Sequence, residues 1–357
     1  MKGLVLSGGV GSRLRPFTYT NAKQLVPIAN KPVIFYTIEQ LVECGITEVG
    51  VVVGDTAAQV QESIGDGSQF GAEVTYIQQD APKGIAHAVA TARDFLGDAP
   101  FVLYLGDNFV LGGIKPYVEQ YRSGKKGSQI LLHPVPNPQD FGIAELTANG
   151  DVSRIVEKPK EPATNLAVIG VYIFAPAVHD VIATLKPSWR NELEITDAIQ
   201  GLIDRGAGVH AEVMDRYWID TGKMDDILNA NRMVLTTLEG RCDGSIDEAT
   251  TVEGVVAIEA GARVENCTLR GPLIIGQDTD LVDSEIGPNV AIDRACRVKG
   301  CRIEDSIVME NSRIEDIEWP IKNSMIGRNV EMAGGHGADG GYKLTLGDHS
   351  RIEMPDG

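Results

Sequence analysis

Cysteine, histidine and positive charge are scarce in this chain of 357 residues, and no long apolar run occurs in it. The five cysteines, Cys44, Cys242, Cys267, Cys296 and Cys301, are odd in number and form no Cys-x-x-Cys pair. A complete disulfide framework and a thiolate zinc site are thereby excluded, leaving reduced, mostly buried thiols. No stretch approaches the roughly 20 apolar residues of a membrane helix, and the first residues lead into a strand pattern rather than a signal peptide. A cytoplasmic protein is expected. Lysine and arginine number 32 against 50 acidic residues, a formal charge of −18. Such a balance argues against non-specific nucleic-acid binding and against acidic membranes, so neither is expected as a partner. An anionic ligand must therefore find locally cationic ground or a metal ion.

Two familiar phosphate loops are also missing near the start of the chain. Leu4-Val5-Leu6 reads as a buried parallel strand that breaks into Gly8-Gly9-Val10-Gly11. A dinucleotide fingerprint read from Gly9 needs a glycine where Leu14 stands. A P-loop needs Gly-Lys-Ser/Thr where Ser12-Arg13 stands. What is present is a glycine turn whose amides can face inward, followed by Arg13, Arg15 and Lys23. Exposed N–H dipoles beside fixed positive charge select polyanions such as phosphates.

Strand-like and helix-like segments alternate up to about residue 238, the pattern of an α/β domain with a largely parallel sheet. Helices are expected after Pro32, after Gly84, from about Asn191 to Gly206, and from Met224 to Leu238. The last of these is expected to close the domain against its own core. Strands are expected at 49–53, 74–77, 101–105 and 168–174, with a hairpin turning at Asn149-Gly150. The strand 101–105 ends in Gly106-Asp107-Asn108, and Tyr217-Trp218-Ile219 runs into Asp220. In open α/β sheets ligands sit beyond the carboxyl ends of strands, where an aspartate can hold a metal or merely cap a turn. From about Ile246 helical periodicity stops, and aliphatic residues recur every five or six positions from Ile258 to Ile314. That period predicts a left-handed parallel β-helix of hexapeptide repeats, an architecture stabilised by stacking. A Gly-rich, weakly patterned tail follows Gly334. The expected domains are 1–240 and 241–357.

Gly8, Gly9, Gly11, Arg13, Leu14, Pro16, Thr18, Lys23, Pro27, Lys31 and Pro32 together match G-G-x-G-x-R-L-x-P-x-T, K-x-x-x-P and K-P. With L-G-D-N, E-K-P, N-E-L-E-I-T-D and W-I-D-T-G in this order, the chain resembles the sugar-phosphate nucleotidylyltransferases from Met1 to about Glu239. The resemblance is strongest to the members that pair deoxythymidine triphosphate with glucose 1-phosphate, in their long form with terminal repeats. It implies a Rossmann-like mixed, mostly parallel sheet with helices on both faces. It also implies transfer of a deoxythymidylyl group to glucose 1-phosphate with release of pyrophosphate, and a Mg²⁺ ion held by Asp107 and Asp220.

Arg13, Lys23 and Lys158 are implied as the catalytic cations. Leu6, Gly8, Gly9, Gly11, Ser12, Arg13, Gln24, Gln79, Gly84 and Asp107 are implied around the nucleotide. Asn108, Gly142, Glu157, Lys158, Val168 and Tyr172 are implied around the sugar phosphate. His87 departs from the glutamine usual in the short members, and reads as a helix group or a contact to the base or ribose. His133, His179 and His210 read as structural, and His336 and His349 are the histidines near the repeats. UTP or an amino-sugar phosphate is the alternative substrate, with acetyl transfer by the repeat domain as an alternative second activity. The repeats lead to an expectation of a homo-oligomer.

Overall fold

The computed structural model describes residues 1–9, 11–124, 127–334, 349, 351 and 353. Its contacts divide the chain into two compact units. The first comprises Met1–Val10, Asn21–Leu25 and Val33–Asp220; the second comprises Gly11–Thr20, Val26–Pro32 and Thr221–Gly357.

The principal elements of the first unit begin with β1 (Lys2–Ser7), α1 (Val33–Glu43), β2 (Glu48–Val53), β3 (Glu73–Gln78) and α2 (Ile85–Thr91). There follow β4 (Phe101–Leu105), β5 (Asn108–Val110), β6 (Ser128–Pro134), β7 (Gly142–Leu146), β8 (Val152–Glu157) and β9 (Leu166–Phe174). The unit closes with α3 (Ile195–Asp204), β10 (Val209–Val213) and β11 (Trp218–Asp220). The main sheet has the order β8-β7-β9-β4-β1-β2-β3, with β6 and then β10 branching from β9. β1 pairs in parallel with β2 and β4, whereas β9 runs antiparallel to β4 and β6. The sheet is thus mixed. Successive residues of a strand face opposite sides, and Leu4 and Leu103 enter one core with α2 and α3, while Val5, Val102 and Tyr104 enter another with α1. Helices consequently cover both faces.

In the second unit, short parallel strands stack into three sheets. Inward side chains recur every seventeen residues, as Val264, Leu281 and Val298 do in register. Val264 is 1% exposed and its two stacked neighbours 0%. This is the left-handed β-helix read from the aliphatic period. The helix α4 (Met224–Leu235) departs from expectation, because it belongs with the repeats and not with the core of the sheet. Polar anchors hold it there. Asn231, 1% exposed, accepts the Ala29 N–H at 2.9 Å, and Arg232 meets Asp305 at 2.7 Å. An apolar stripe read from sequence shows that a helix packs, not what it packs on. The tail's expectation and His336 lie outside the described residues.

Candidate active site

Two strand ends carry the acids. β4 delivers Asp107 at its carboxyl end, and β11 delivers Asp220. The ribbon of β11 on β5 pairs Asp220 with Asn108, which places Asp220 next to Asp107. Lys23, on a 3-10 turn, reaches both: its Nζ lies 2.5 Å from Asp107 Oδ2 and 3.4 Å from Asp220 Oδ1. Burial alone would favour a neutral Lys23, but the two carboxylates outweigh it and raise its pKa. Burial alone would also protonate Asp107, and there Lys23 and the Asn108 amide outweigh it, so the carboxyl titrates below its ordinary range.

Two carboxylates converging on one ammonium form a hard-oxygen donor pair already occupied by a cation. No group of three or more metal-ligating side chains gathers among the described residues. The pair by itself offers two hard oxygen donors, so a divalent cation held there would take its other ligands from substrate phosphates and water.

Asn108, expected at the sugar phosphate, is turned toward the acids and is 3% exposed. Its Nδ2 donates to Asp107 Oδ1 at 2.9 Å; its Oδ1 accepts from Trp218 Nε1 at 2.7 Å and from the Gly170 N–H at 3.2 Å. Both ends of the amide are thus engaged, and through Nδ2 it fixes the orientation of Asp107.

A cavity of about 230 Å³ opens among β7, β8, β9 and the start of α3. Gly142, Glu157, Lys158, Val168 and Tyr172 all line it. Lys158 adopts φ 43°, a left-handed conformation uncommon for a residue with a Cβ. A Cβ on Gly142 would stand 2.6 Å from Thr196 Cγ2, so this glycine makes room for Thr196. Thr196 in turn donates to Glu157 Oε2 at 3.2 Å. Burial, reinforced by the nearby Glu194, raises the Glu157 pKa, against the opposing pull of Lys158, Thr196 and Arg190.

Arg190, Glu194 and Thr196 were not singled out from sequence, although two of them lie in the N-E-L-E-I-T-D phrase. Arg190 lies 3.5 Å from Glu157, 3.0 Å from Glu192 and 3.5 Å from Glu194. An acid-rich phrase beside an arginine in a loop was the available signal.

The same phrase is strapped to the loop before α2. Leu193 donates its N–H to the Lys83 carbonyl at 2.7 Å, and its own carbonyl accepts from the Ala86 N–H at 3.1 Å. Between them Gly84 has φ 103°, and a Cβ there would lie 2.4 Å from the Leu193 oxygen. Only glycine fits.

Gln79 follows β3, is 7% exposed, and bonds His87. Leu6 and Gly8 lie at and just beyond the end of β1, with Gly9 next. Gln24 is 2% exposed, and its Oε1, like Ser7 Oγ, is buried without a hydrogen-bond partner among the described residues. Orphaned polar atoms of this kind are uncommon in cores. Gly11, Ser12 and Arg13 belong to the second unit, where Ser12 and Arg13 are exposed on a 3-10 turn. Of the remaining histidines, His179 stacks on Phe101, His210 bonds Asp151, and His133 lies against Trp218.

A sheet with acids at its strand ends and a glycine turn before a cationic segment is the layout of an enzyme acting on nucleotides. The family model described as nucleotidyl transferase matches residues 2–237, and the chain belongs to that family. More particularly, it is 48% identical over 355 residues to a glucose-1-phosphate thymidylyltransferase of Streptomyces antibioticus, covering 99% of each chain. It is also 43% identical to the low-salt glycan biosynthesis nucleotidyltransferase Agl11 of Haloferax volcanii, over 99% of this chain and 100% of the relative. A solved structure from Bacillus anthracis, described as a candidate glucose-1-phosphate thymidylyltransferase in complex with a sucrose, superposes with a TM-score of 0.63. The two are 38% identical, and the match covers 68% of this chain and 98% of the other.

Proposed function

We infer that this protein transfers a deoxythymidylyl group from dTTP to glucose 1-phosphate, giving dTDP-glucose and pyrophosphate. The observation that carries the reading is the meeting of Asp107, Lys23 and Asp220 at the ends of two strands. Full-length likeness to relatives of that name supports it. A phosphate oxygen of glucose 1-phosphate attacks the α-phosphorus, and the bond to the β-phosphate oxygen breaks. The nucleophile is already an anion, so catalysis consists of alignment and charge neutralisation rather than proton removal.

Asp107 and Asp220 would hold Mg²⁺, which neutralises charge between the two reacting phosphates when bound. Lys158 holds the sugar phosphate, Lys23 stands between donor and acceptor, and Arg13 takes the charge that develops on departing pyrophosphate. Gly8, Gly9, Gly11 and Ser12 are proposed to offer amides and a hydroxyl to the triphosphate, and Leu6 and Gln24 to bind the nucleotide as well. Gln79 and Gly84 read the base. Glu157 accepts from the glucose hydroxyls against a wall of Gly142, Val168 and Tyr172, while Asn108 orients Asp107.

The repeats are proposed to join copies of the chain into a homo-oligomer, measurable as mass in solution by light scattering. A cytoplasmic location is proposed with these substrates, and no helix among the described residues is long and apolar enough to cross a membrane.

Pyrophosphate release measured with dTTP and with UTP, each against glucose 1-phosphate, tests the reading. Turnover is expected to be highest with dTTP, to stop with EDTA and to return with Mg²⁺. Asp107→Asn is expected to lower kcat about a hundred- to a thousandfold. No Mg²⁺-dependent release with either triphosphate would end it.

A further inference from the structure

Gln79 does not stand alone beside the phosphate loop. Its Nε2 lies 2.9 Å from His87 Nδ1, across from the first turn of α2. On the far side of the ring, His87 Nε2 lies 3.5 Å from Asp80 Oδ1, and Asp80 is itself tied to Lys83 through Oδ2 at 2.8 Å. Hydrogen bonding from Lys83 lowers the Asp80 pKa, so the carboxylate faces the ring as an anion.

A carboxylate can only accept, and it draws the ring proton to Nε2. Nδ1 is then a lone pair, and the one group of Gln79 that satisfies it is an Nε2 hydrogen. The amide is thereby oriented, with its second N–H and Oε1 left as an adjacent donor and acceptor. Oε1 lies on the side of Gly8, 3.0 Å from where a Cβ on that residue would stand, so a side chain at position 8 would crowd it.

We propose that His87 is a positioning residue that sets which way the Gln79 amide faces, and so makes the site select a pyrimidine imide over cytosine. The proposal rests on the function inferred above and extends it to the residue behind base choice. Thymine and uracil carry a donor N3–H flanked by carbonyl acceptors; cytosine carries an acceptor N3 flanked by an amino donor and a carbonyl. Oε1 meets the imide N3–H, and the free Nε2 hydrogen meets a neighbouring carbonyl. Reversal of the amide would set N–H against N–H for the imide and match cytosine instead. An unanchored glutamine samples both orientations, whereas the chain from Asp80 through His87 favours one.

The test compares wild type with His87→Leu, which removes the acceptor, and His87→Asn, whose Oδ1 stands near the place of Nδ1. Pyrophosphate release is measured with dTTP and dCTP, and the imidazole nitrogens are read by NMR with His87→Leu as the assignment control. In His87→Leu the preference for dTTP over dCTP in kcat/KM is expected to fall about tenfold, chiefly through KM. His87→Asn is expected to keep it within about threefold of wild type, and the spectrum to place the His87 proton on Nε2. An unchanged preference in His87→Leu, an Asn variant as impaired as the Leu variant, or a proton on Nδ1 overturns the proposal. A wild type without dTTP turnover strikes the inferred function instead, and the ring spectrum then still decides whether the amide is held.

Discussion

Glu157 serves two opposed demands. In the proposed role it accepts from sugar hydroxyls most strongly as the carboxylate, yet burial and Glu194 favour its protonated form. A carboxyl whose pKa is raised by folding contributes stability below the ordinary glutamate range and loses it as pH rises through the raised value. At neutral pH the ionised side chain is therefore a net cost to the fold. Glu157→Gln is expected to melt above wild type at neutral pH, with the two curves converging as the solution is acidified. The same variant is expected to raise KM for glucose 1-phosphate about ten- to a hundredfold, the worth of a hydrogen bond to a charged group. Thermal melts across pH and steady-state kinetics check the two halves; a variant less stable than wild type at neutral pH contradicts the first. The conflict was not legible in the sequence. Glu157 stood out there as the acid of E-K-P, but the neighbours that shift it come from residues 190–196, over thirty positions away.

The repeats turn their corners with the same backbone conformation again and again. Positive φ recurs at Asn266, Asp283, Gly300 and Asp316 along one corner, and at Asn289, Asp305 and Asn323 along another. Asn, Asp and Gly enter that region at low cost, the amide and acid through local hydrogen bonds and glycine for want of a Cβ. A third corner runs Gly261, Asp278, Ala295, Asn311 and Asn329, and there Ala295 holds φ 55° with neither advantage. Ala295→Asn is expected to raise unfolding free energy by about 0.5–1 kcal/mol, with activity unchanged. Denaturant titration measures it, and a loss of stability would show that the corner rewards something other than backbone fit. At this scale the sequence was informative because each aliphatic residue of the repeat packs on its equivalents one coil away. A local period thus dictates a stacked structure. The helix α4 was misassigned because its anchors are polar, Asn231 inside the apolar stripe and Arg232 beside it.

Across the whole molecule the formal charge of −18 opposes every substrate inferred for it, since both are phosphates. Long-range repulsion is screened by salt over about 10 Å at 0.1 M, whereas the phosphate contacts proposed for Lys23, Lys158 and Arg13 act at shorter range. Raising NaCl from about 0.01 to 0.1 M is therefore expected to increase kcat/KM for dTTP severalfold at constant free Mg²⁺. A steep fall over that range would mean that a positive local field, not the net charge, steers substrate to the site.

The amino-acid sequence on its own determined the glycine turn with its cations, the acids at strand ends and the aliphatic period of the repeats. Each is a short-range pattern, set by what consecutive residues of a strand, turn or coil require of one another. Tertiary structure alone decided that Lys23 pairs with both Asp107 and Asp220, that the Asn108 amide bonds Asp107, and that His87 holds Gln79. Those contacts depend on how β11 lies on β5 and how α2 stands beside the end of β3. The direction a side chain takes at the end of a strand follows from partners far away in the chain, which no local spacing encodes.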